Sequence, residues 1–476
     1  MKEETENSPL SQQELATCHC IIGHPGKAKF LAIRHQAGWT VPTLIFPPGS
    51  VDFRPTMITE GMQVKYGLNT RVLRLLVRSA RYYCIELELS RGGGGKKLDA
   101  VWVDREQYQK FRSERNVPSD PFDQWLQEKE QGTVPALRSA WQIPGWFKQA
   151  DHWIHFQAEK LGLQVTGSVQ QFRVGWNASC LLHVPTSEGK LFFKAAYSKP
   201  PGEATLTPFL ADRWPQYVVR PLAVDRDGIW LLTRDMNEGG KVSPDLSLLP
   251  QFARMLATMQ IESIACADQL KVLGCPVHDL HYLLKWMEHT DDLLNFLRTG
   301  PDHLSEAEVD QMIPALSVFA NSCRQLLEFG IPAALVHNDF RDANLVVQGE
   351  NLRIFDWSDA VIAHPFMVLE YINSTRASFH SEQAAHTPED PVGAAIVREI
   401  NAAYLEGFLT FASAEKLDQA WAIARSLFPL WNLFRVHEQL DWTEKNTPGY
   451  EVLATQLKHN ARKLISASQQ LTSPTG

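Results

Sequence analysis

The chain has 476 residues, of which 44% are hydrophobic, and a formal net charge of -8. Because a single hydrophobic core rarely grows beyond ~250 to 300 residues, this length predicts two or three domains. The acidic balance and the lack of a dense Lys/Arg block exclude a nucleic-acid or membrane-surface partner held mainly by charge.

The first residues are acidic and polar, and no run in the sequence approaches the ~18 apolar residues of a membrane span. We therefore expect a cytoplasmic protein whose seven scattered cysteines are reduced thiols rather than a disulfide framework. Cys18, His19 and Cys20 are possible zinc ligands by residue type. No second Cys/His pair follows at zinc-site spacing, so alternation within a strand is the favoured interpretation.

Residues 17–104 contain short apolar or alternating runs that predict strands, interrupted by one helical stretch near residues 56–66. The glycine-rich run at residues 91–97 predicts a mobile hairpin tip that joins the last two strands. We expect residues 1–115 to form a compact mixed α/β domain.

Residues 116–149 combine several prolines with three tryptophans and predict an ordered connector. The tryptophans are Trp125, Trp141 and Trp146. They could form an aromatic cage, but large rings near a domain junction more often stabilise packing, which is the interpretation we favour.

The remaining sequence changes from strand patterns to helix patterns. A helix near residues 150–161 is followed by alternating strands, a short helix and two more strands, and helical periodicity begins at residue 246. Only a β-like patch at residues 345–355 breaks that periodicity. This order predicts a small β-rich lobe at residues 150–237 and a larger helical lobe at residues 238–476.

The segment LVHNDFRDANLVVQGENLRIFDW, residues 335–357, carries the pattern H-x-D-x-x-x-x-N followed by a second aspartate. Phosphoryl transfer to an alcohol needs a carboxylate at the attacking hydroxyl and oxygen ligands that hold magnesium on the phosphates. Asp339 suits the first role, and Asn344 and Asp356 suit the second. We expect His337 to brace the loop through hydrogen bonds.

The spacing of the two metal candidates has a geometric reason. Two apolar stretches, residues 345–347 and 352–355, are joined by a polar turn, and a hairpin would bring Asn344 beside Asp356. One amide oxygen and one carboxylate fit Mg²⁺, which keeps water and phosphate in its coordination sphere. An isolated buried Asp or Asn usually caps a helix or satisfies a local hydrogen bond. Here four residues occupy matching positions on both sides of a hairpin, which favours catalysis. They are His337, Asp339, Asn344 and Asp356.

This segment resembles the phosphotransferase family of aminoglycoside, choline and related small-molecule kinases, and the resemblance extends from about residue 150 to the end of the sequence. The resemblance implies a bilobal fold like that of protein kinases. The family's H-G-D loop has Asn338 at the glycine position, for which we expect a changed loop conformation with retained chemistry. Asp356 lies in the counterpart of the family's I-D-W, and nearby Asp359 could assist the metal, although capping or pairing is favoured.

Two charged residues are candidates for the nucleotide site. Lys194 lies in an otherwise apolar strand and matches the family lysine that pairs with the phosphates, although a strand-edge lysine reaching water is the alternative. Glu203 opens the next helix and could aim Lys194, or could stand there only because of the helix dipole.

The other candidates for nucleotide binding would contribute backbone atoms rather than side-chain functional groups. Gly175 is the only glycine in its strand turn, which makes a weak phosphate loop on its own. Thr233, Asp235 and Met236 fall where the resemblance places the hinge between the lobes. Adenine would be bound there by backbone groups, so the sequence does not distinguish ATP from GTP.

The first domain resembles a Nudix domain, whose helix-borne box supplies carboxylates for magnesium and diphosphate hydrolysis. Gly49 and Gly67 could bracket a shortened box, but Asp52 and Glu60 provide too few carboxylates. We expect a degenerate Nudix-like scaffold that binds a ligand or packs on the kinase.

These features predict a kinase that moves the terminal phosphate of ATP or GTP to a hydroxyl of a small molecule, with Asp339 as base and Mg²⁺ on Asn344 and Asp356. The alternatives are a pseudokinase or nucleotide-binding scaffold with a ligand-binding Nudix-like domain, and residual Nudix hydrolysis. Acidic residues at positions 288, 291 and 292 could bind a cationic acceptor, but a solvated helix face is favoured.

Overall fold

The computed structural model describes residues 15–35, 38–47, 55–90, 98–111, 120–174, 179–196, 202–238, 240–242, 245–368 and 391–472. The chain divides into two compact units. One is formed by residues 1–197 with 443–452, and the other by residues 198–442 with 453–476. The chain passes from one unit to the other after residues 197, 442 and 452. The finer boundaries expected at residues 115, 149 and 237 stay predictions.

The front of the first unit contains two small sheets and one helix. Its elements are β1 (Ala16–Ile22), β2 (Phe30–His35), β3 (Gly38–Thr40), β4 (Thr43–Phe46), α1 (Pro55–Tyr66), β5 (Thr70–Arg78), β6 (Tyr82–Leu89) and β7 (Ala100–Val103). One sheet has the order β4-β1-β6-β5, with β1 parallel to β6, and the other has the order β3-β2-β7. The strands and the predicted helix therefore form a mixed α/β arrangement.

The predicted hairpin between β6 and β7 is wrong. Strand β6 has both of its edges occupied, by β1 and by β5, whereas β7 pairs with β2 in the other sheet. A strand has only two edges, so β6 has none left for β7. Residues 91–97 themselves lie outside the described residues.

Cys18, His19 and Cys20 lie within strand β1, which confirms the strand that the alternation predicted. Cys18 and Cys20 are fully buried in the core of the first unit. His19 lies between them in sequence, and its Nδ1 is 3.2 Å from the hydroxyl of Tyr82. Among the described residues, no group of three or more His, Cys, Asp or Glu side chains is placed to hold a metal ion.

The rest of the first unit contains helices and a three-stranded antiparallel arrangement. The elements are α2 (Arg105–Phe111), α3 (Pro121–Gln131), α4 (Trp146–Lys160), β8 (Gln170–Val174), β9 (Ser179–Thr186) and β10 (Gly189–Ala196). Helix α3 begins where the side chain of Asp120 accepts a hydrogen bond from the Phe122 N–H and ends at Gly132 in the left-handed conformation. Trp125, Trp141 and Trp146 are 2%, 1% and 6% exposed, which confirms the packing interpretation.

Gly23, at the end of β1, allows close packing against α3. A Cβ atom at Gly23 would lie 2.9 Å from Cζ2 of the buried Trp125 ring, whereas one at Gly26 would meet no atom within 4 Å. We expect Gly23→Ala to destabilise the first unit by ~1–3 kcal/mol because a rigid buried ring must move. Urea denaturation followed by tryptophan fluorescence measures this loss, and Gly26→Ala, in the same loop, should change stability by less than ~0.5 kcal/mol. Equal effects of the two substitutions would contradict this packing.

A chain of charges runs through the first unit. The guanidinium of Arg74 binds Glu86 and Glu128, and Arg138 binds Glu128 and continues to Glu444. Glu86 is 1% exposed and Arg138 is 3% exposed at the side chain. Burial by itself would raise the pKa of Glu128, but Arg138 and Arg74 outweigh it and lower that pKa to about 2. The ion pair between Arg138 and Glu444 links the segment 443–452 to the rest of the first unit.

The second unit combines short sheets with helices. Its strands are β11 (Ala223–Val224), β12 (Trp230–Arg234), β13 (Lys241–Val242), β14 (Ala334–Val336), β15 (Leu345–Gln348), β16 (Asn351–Ile354) and β17 (Val361–Ala363). Strand β11 pairs with β12, β13 with β15 and β16 form a three-stranded sheet, and β14 pairs with β17. The pair β14–β17 was not predicted, so the β-like patch is not the only interruption of the helical region.

The first of the two strands expected after the short helix covers residues 218–225, and in the structure it shrinks to the two residues of β11. Pro221 lies within that stretch, has no N–H to donate to a ladder and thereby limits pairing. Strand prediction from apolar alternation overlooked this proline.

The helices of the second unit follow the predicted periodicity. They are α5 (Glu203–Arg213), α6 (Leu249–Ser263), α7 (Ala267–Val272), α8 (Leu280–Met287), α9 (Asp291–Leu297), α10 (Glu306–Leu327), α11 (Pro391–Leu405), α12 (Ala414–Ser426), α13 (Phe428–Asp441) and α14 (Pro448–Thr472), whose first residues belong to the first unit. Helix α10 begins at a capping box formed by Ser305 and Glu308. Within the described ranges, no helix combines the length and apolar character needed to cross a bilayer.

Candidate active site

The predicted hairpin is confirmed and forms the base of the candidate site. Strands β15 and β16 pair in a register that runs from Leu345 opposite Ile354 to Gln348 opposite Asn351. The two connecting residues begin with Gly349, whose φ of 61° lies in the left-handed region. Two-residue hairpin turns require such a conformation, which glycine adopts without steric cost.

Asn344 and Asp356 flank this hairpin. The Phe355 N–H donates to the Asn344 carbonyl at 3.1 Å, so the pairing continues past the end of the two strands. Asp356 comes next, with φ 64°, and its Oδ1 accepts a hydrogen bond from the Ser358 hydroxyl at 2.7 Å. The hairpin therefore returns Asp356 beside Asn344, as the spacing predicted.

The Asn344 side chain is bonded to Asp339. Its Nδ2 donates to the Asp339 carbonyl at 2.9 Å and to the carboxylate oxygen Oδ2 at 2.8 Å. The amide nitrogen is thus occupied, which leaves the amide oxygen Oδ1 as the atom that could bind a cation. Asp339 and Asn344 form one hydrogen-bonded group rather than two separate caps.

Asp339 also forms an ion pair with Arg341, whose Nε lies 3.1 Å from Oδ2. Burial raises the pKa of Asp339 above its ordinary value, although Arg341 acts in the opposite direction. A carboxylate with a raised pKa accepts a proton more readily than an ordinary surface aspartate. Asp339 is therefore suited to act as a general base.

His337 braces this loop, as predicted. Its Nε2 lies 3.0 Å from the Phe355 carbonyl, and its Nδ1 accepts a weak hydrogen bond from the Asp339 N–H at 3.4 Å. These partners assign the proton to Nε2. The ring is fully buried, and burial lowers its pKa, which favours the neutral imidazole that these two bonds require.

Asn338 has a φ of 61°, which lies in the left-handed region. Glycine enters this region freely, and asparagine is among the residues that tolerate it best. The presence of Asn in place of Gly therefore does not by itself require a different loop conformation.

A cavity of about 230 Å³ lies next to the loop. Its lining includes Asn338, Asp359, His278, Arg435, Glu438 and Trp442. His278 Nε2 is 3.1 Å from a carboxylate oxygen of Glu438, and Arg435 is 4.0 Å from Asp359. The contact between Arg435 and Asp359 favours the pairing role for this aspartate over a metal-binding role.

The predicted hinge residues lie at the end of β12 and directly after it. Thr233 lies within the strand, and Asp235 is 7% exposed, with its Oδ1 accepting a hydrogen bond from the Asn237 N–H at 2.9 Å. Met236 belongs to a small apolar cluster with Val346 of β15. This cluster packs the segment after β12 against the β15–β16 hairpin.

The remaining predicted site residues lie in different parts of the chain. Lys194, on β10 in the first unit, is 8% exposed, and Glu203, which opens α5 in the second unit, is 4% exposed. Their pairing stays a prediction. Gly175 lies outside the described residues, as do Gly49 and Asp52 of the expected Nudix-like box.

Residues 189–367 match the model of the Phosphotransferase enzyme family. The matched stretch is less than half of the chain and contains the loop, the hairpin and Lys194. No curated protein matches the sequence.

Solved kinase structures are similar to this chain at low sequence identity. An ethanolamine kinase from Plasmodium vivax is 12% identical, over 74% of this chain and 98% of that chain, with a TM-score of 0.44. A choline/ethanolamine kinase family protein from Mesorhizobium loti is 14% identical, over 68% and 99%, with a TM-score of 0.43. A choline kinase from Streptococcus pneumoniae is 15% identical, over 67% and 99%, with a TM-score of 0.41.

Two residues of the site were not found from the sequence. Arg341 lies only two positions after Asp339, and a cation so close to a candidate base is a signal that could have been used. Trp431 of α13 donates its indole N–H to Asn338 Oδ1 at 3.0 Å across 93 positions of sequence. No local pattern points to such a distant partner.

Proposed function

We propose that this chain is a magnesium-dependent small-molecule kinase that transfers the terminal phosphate of ATP or GTP to a hydroxyl group. The observation that carries the proposal is that Asp339 and Asn344 are hydrogen-bonded to each other at one end of the β15–β16 hairpin, and that Asp356 follows its other end. The family match over the same residues supports it.

Asp339 is the proposed base. The acceptor hydroxyl oxygen would form a bond to the terminal phosphorus, the bond from that phosphorus to the nucleotide's bridging oxygen would break, and the hydroxyl proton would pass to Asp339. Asn344 and Arg341 hold the carboxylate, so it needs little reorganisation as the hydroxyl arrives.

The amide oxygen of Asn344 and the carboxylate of Asp356 would hold Mg²⁺. This donor set fits the ion, which takes few protein oxygens and keeps water and phosphate as its other ligands. When bound, the ion neutralises charge on the phosphates. The Ser358 hydroxyl orients the Asp356 carboxylate for this role.

Lys194 is proposed to bind the phosphates of the nucleotide, and Glu203 is a second candidate residue of the nucleotide site. Gly175, the third candidate, lies outside the described residues. The adenine or guanine ring of the nucleotide would contact Thr233, Asp235 and Met236. Lys194 is 8% exposed, which supports a role inside the protein over that of a strand-edge lysine that reaches water.

The acceptor is proposed to bind in the cavity of about 230 Å³ whose lining includes Asn338 and Asp359. This volume is below the ~300–1,000 Å³ of typical ligand pockets, which favours a small acceptor. We expect Glu438→Gln to raise the KM for the acceptor about tenfold and to change kcat by less than about threefold. The substitution weakens the hydrogen bond between Glu438 and His278 in the cavity lining and leaves Asp339 unchanged.

Steady-state kinetics with varied acceptor measures this effect. Glu415→Gln is the matched control, because Glu415 is an exposed carboxylate that does not line the cavity. An unchanged acceptor KM in Glu438→Gln would contradict the proposed acceptor site.

The proposed function is tested by screening hydroxyl compounds for acceleration of ATP or GTP consumption, followed by mass analysis of the product for added phosphate. Transfer that requires Mg²⁺ and disappears in Asp339→Ala supports the kinase. Nucleotide binding that is indifferent to Mg²⁺, with no product in any reaction, would instead identify a binding module.

For the front of the first unit we propose a Nudix-like scaffold without hydrolysis that binds a ligand. Glu60 is exposed on α1, and a separate cavity of about 800 Å³ includes Arg71, Glu88 and Lys129 in its lining. Hydrolysis of nucleoside diphosphate derivatives that Glu60→Gln abolishes and Asp339→Ala preserves would overturn the loss of hydrolysis.

A further inference from the structure

Asn338 occupies a demanding position directly before the proposed base. Its φ of 61° is accessible to asparagine but costs more than it would for glycine, so contacts with the surroundings stabilise this conformation. The side chain is 5% exposed, and its Oδ1 accepts the indole N–H of Trp431 at 3.0 Å. Trp431 is fully buried in α13. A glycine at this position could adopt the same φ but could not accept this hydrogen bond.

The hydrogen bonds on both sides of Asn338 fix the peptide that carries Asp339. On one side, Nδ1 of His337 accepts the Asp339 N–H, and the same ring is anchored to the Phe355 carbonyl. On the other side, Trp431 anchors the Asn338 side chain to α13. Rotation of this peptide would move the Asp339 carboxylate away from Asn344, so the two anchors set where the base points.

We propose that Trp431 and Asn338 are positioning residues for phosphoryl transfer, and that the indole hydrogen bond holds the left-handed turn that aims Asp339. This inference rests on the proposed kinase function. Neither residue exchanges a proton or a phosphate. Their effect passes through the geometry of Asp339, on which a positioned base depends.

Trp431→Phe tests this role, because it removes the indole N–H and keeps an aromatic ring in α13. We expect kcat to fall about five- to tenfold, as for the loss of one buried hydrogen bond from the reactive geometry, with KM values for nucleotide and acceptor changed by less than about twofold. A role in stability alone would lower the thermal midpoint and leave the kcat of the folded protein unchanged.

Trp214→Phe is the matched control within the same unit. Trp214 is 1% exposed, and its indole N–H donates to Glu262 at 2.7 Å, so the substitution also deletes one indole hydrogen bond. We expect it to lower the thermal midpoint by an amount similar to Trp431→Phe while kcat stays within about twofold of wild type.

Asn338→Gly completes a double-mutant cycle. Glycine accepts the left-handed φ, so the variant should fold, but it deletes the acceptor of the indole N–H. We expect kcat to fall by a similar factor, and Trp431→Phe to add little in the Asn338→Gly background, because both changes remove the same hydrogen bond.

The outcomes separate this inference from the proposed function. A kcat of Trp431→Phe within about twofold of wild type, or fully multiplicative effects of the two substitutions, overturns the positioning role while the kinase stands. If phosphate transfer is absent, or survives Asp339→Ala, the proposed function is wrong and the positioning role falls with it.

Discussion

Replacing Asp339 by Asn is expected to lower kcat about 10²- to 10⁴-fold, because the amide cannot take the proton of the acceptor hydroxyl. The shape of the side chain is kept, so the KM for the nucleotide should change little. Initial rates of phosphate transfer at saturating substrates measure the loss. The matched control is Asp342→Asn, three residues away, whose Oδ1 accepts a local hydrogen bond from Ala343 and can still do so as an amide.

The same substitution makes a prediction about stability. Burial raises the pKa of Asp339 in the folded protein, so the folded state binds that proton more tightly than the unfolded state. The stability from the protonated form is therefore complete below the unfolded pKa and is lost as the pH rises through the folded pKa. At neutral pH, Asp339→Asn should be at least as stable as wild type. A lower thermal midpoint would mean that activity is lost through unfolding.

Replacing Arg138 by Met is expected to destabilise the first unit by ~3–5 kcal/mol, the usual cost of removing one partner from a buried ion pair. The side chain of Arg138 is 3% exposed and lies between the carboxylates of Glu128 and Glu444. The thermal midpoint should fall on the order of 10 °C for a unit of this size. Calorimetry or tryptophan fluorescence measures the shift.

Arg105→Met is the control for this change. Arg105 pairs with Glu130 at 3.0 Å, and the two side chains are 32% and 43% exposed, so loss of this pair should cost less than ~1 kcal/mol. Similar midpoints for the two variants would show that the buried network contributes no more than a surface pair.

The network also predicts a dependence on pH. The pKa of Glu128 is about 2 in the folded protein, below its ordinary value, so its contribution to stability is present above the ordinary value and is lost as the pH falls toward 2. Arg138→Met removes part of that contribution. The variant should therefore lose less stability than wild type over this acidic range, which acid titration of the folded fraction measures.

The sequence by itself determined the features that depend on neighbouring residues. The spacing from His337 to Asn344 and the polar turn at residues 348–351 predicted the loop and the hairpin, because a short connection leaves few ways for the chain to return. The strand nature of β1 followed from its apolar alternation, and the helix α1 was found within one residue.

Only the tertiary structure decided which distant segments meet. Apolar alternation marked β6 and β7 as strands, but it could not tell that β6 pairs with β1 and β5 while β7 belongs to another sheet. The partners Asn338 and Trp431 are 93 positions apart, and Arg138 and Glu444 are 306 positions apart. Local periodicity reports which face of an element is buried and carries no information on what covers that face, so these contacts appear only when the chain is folded.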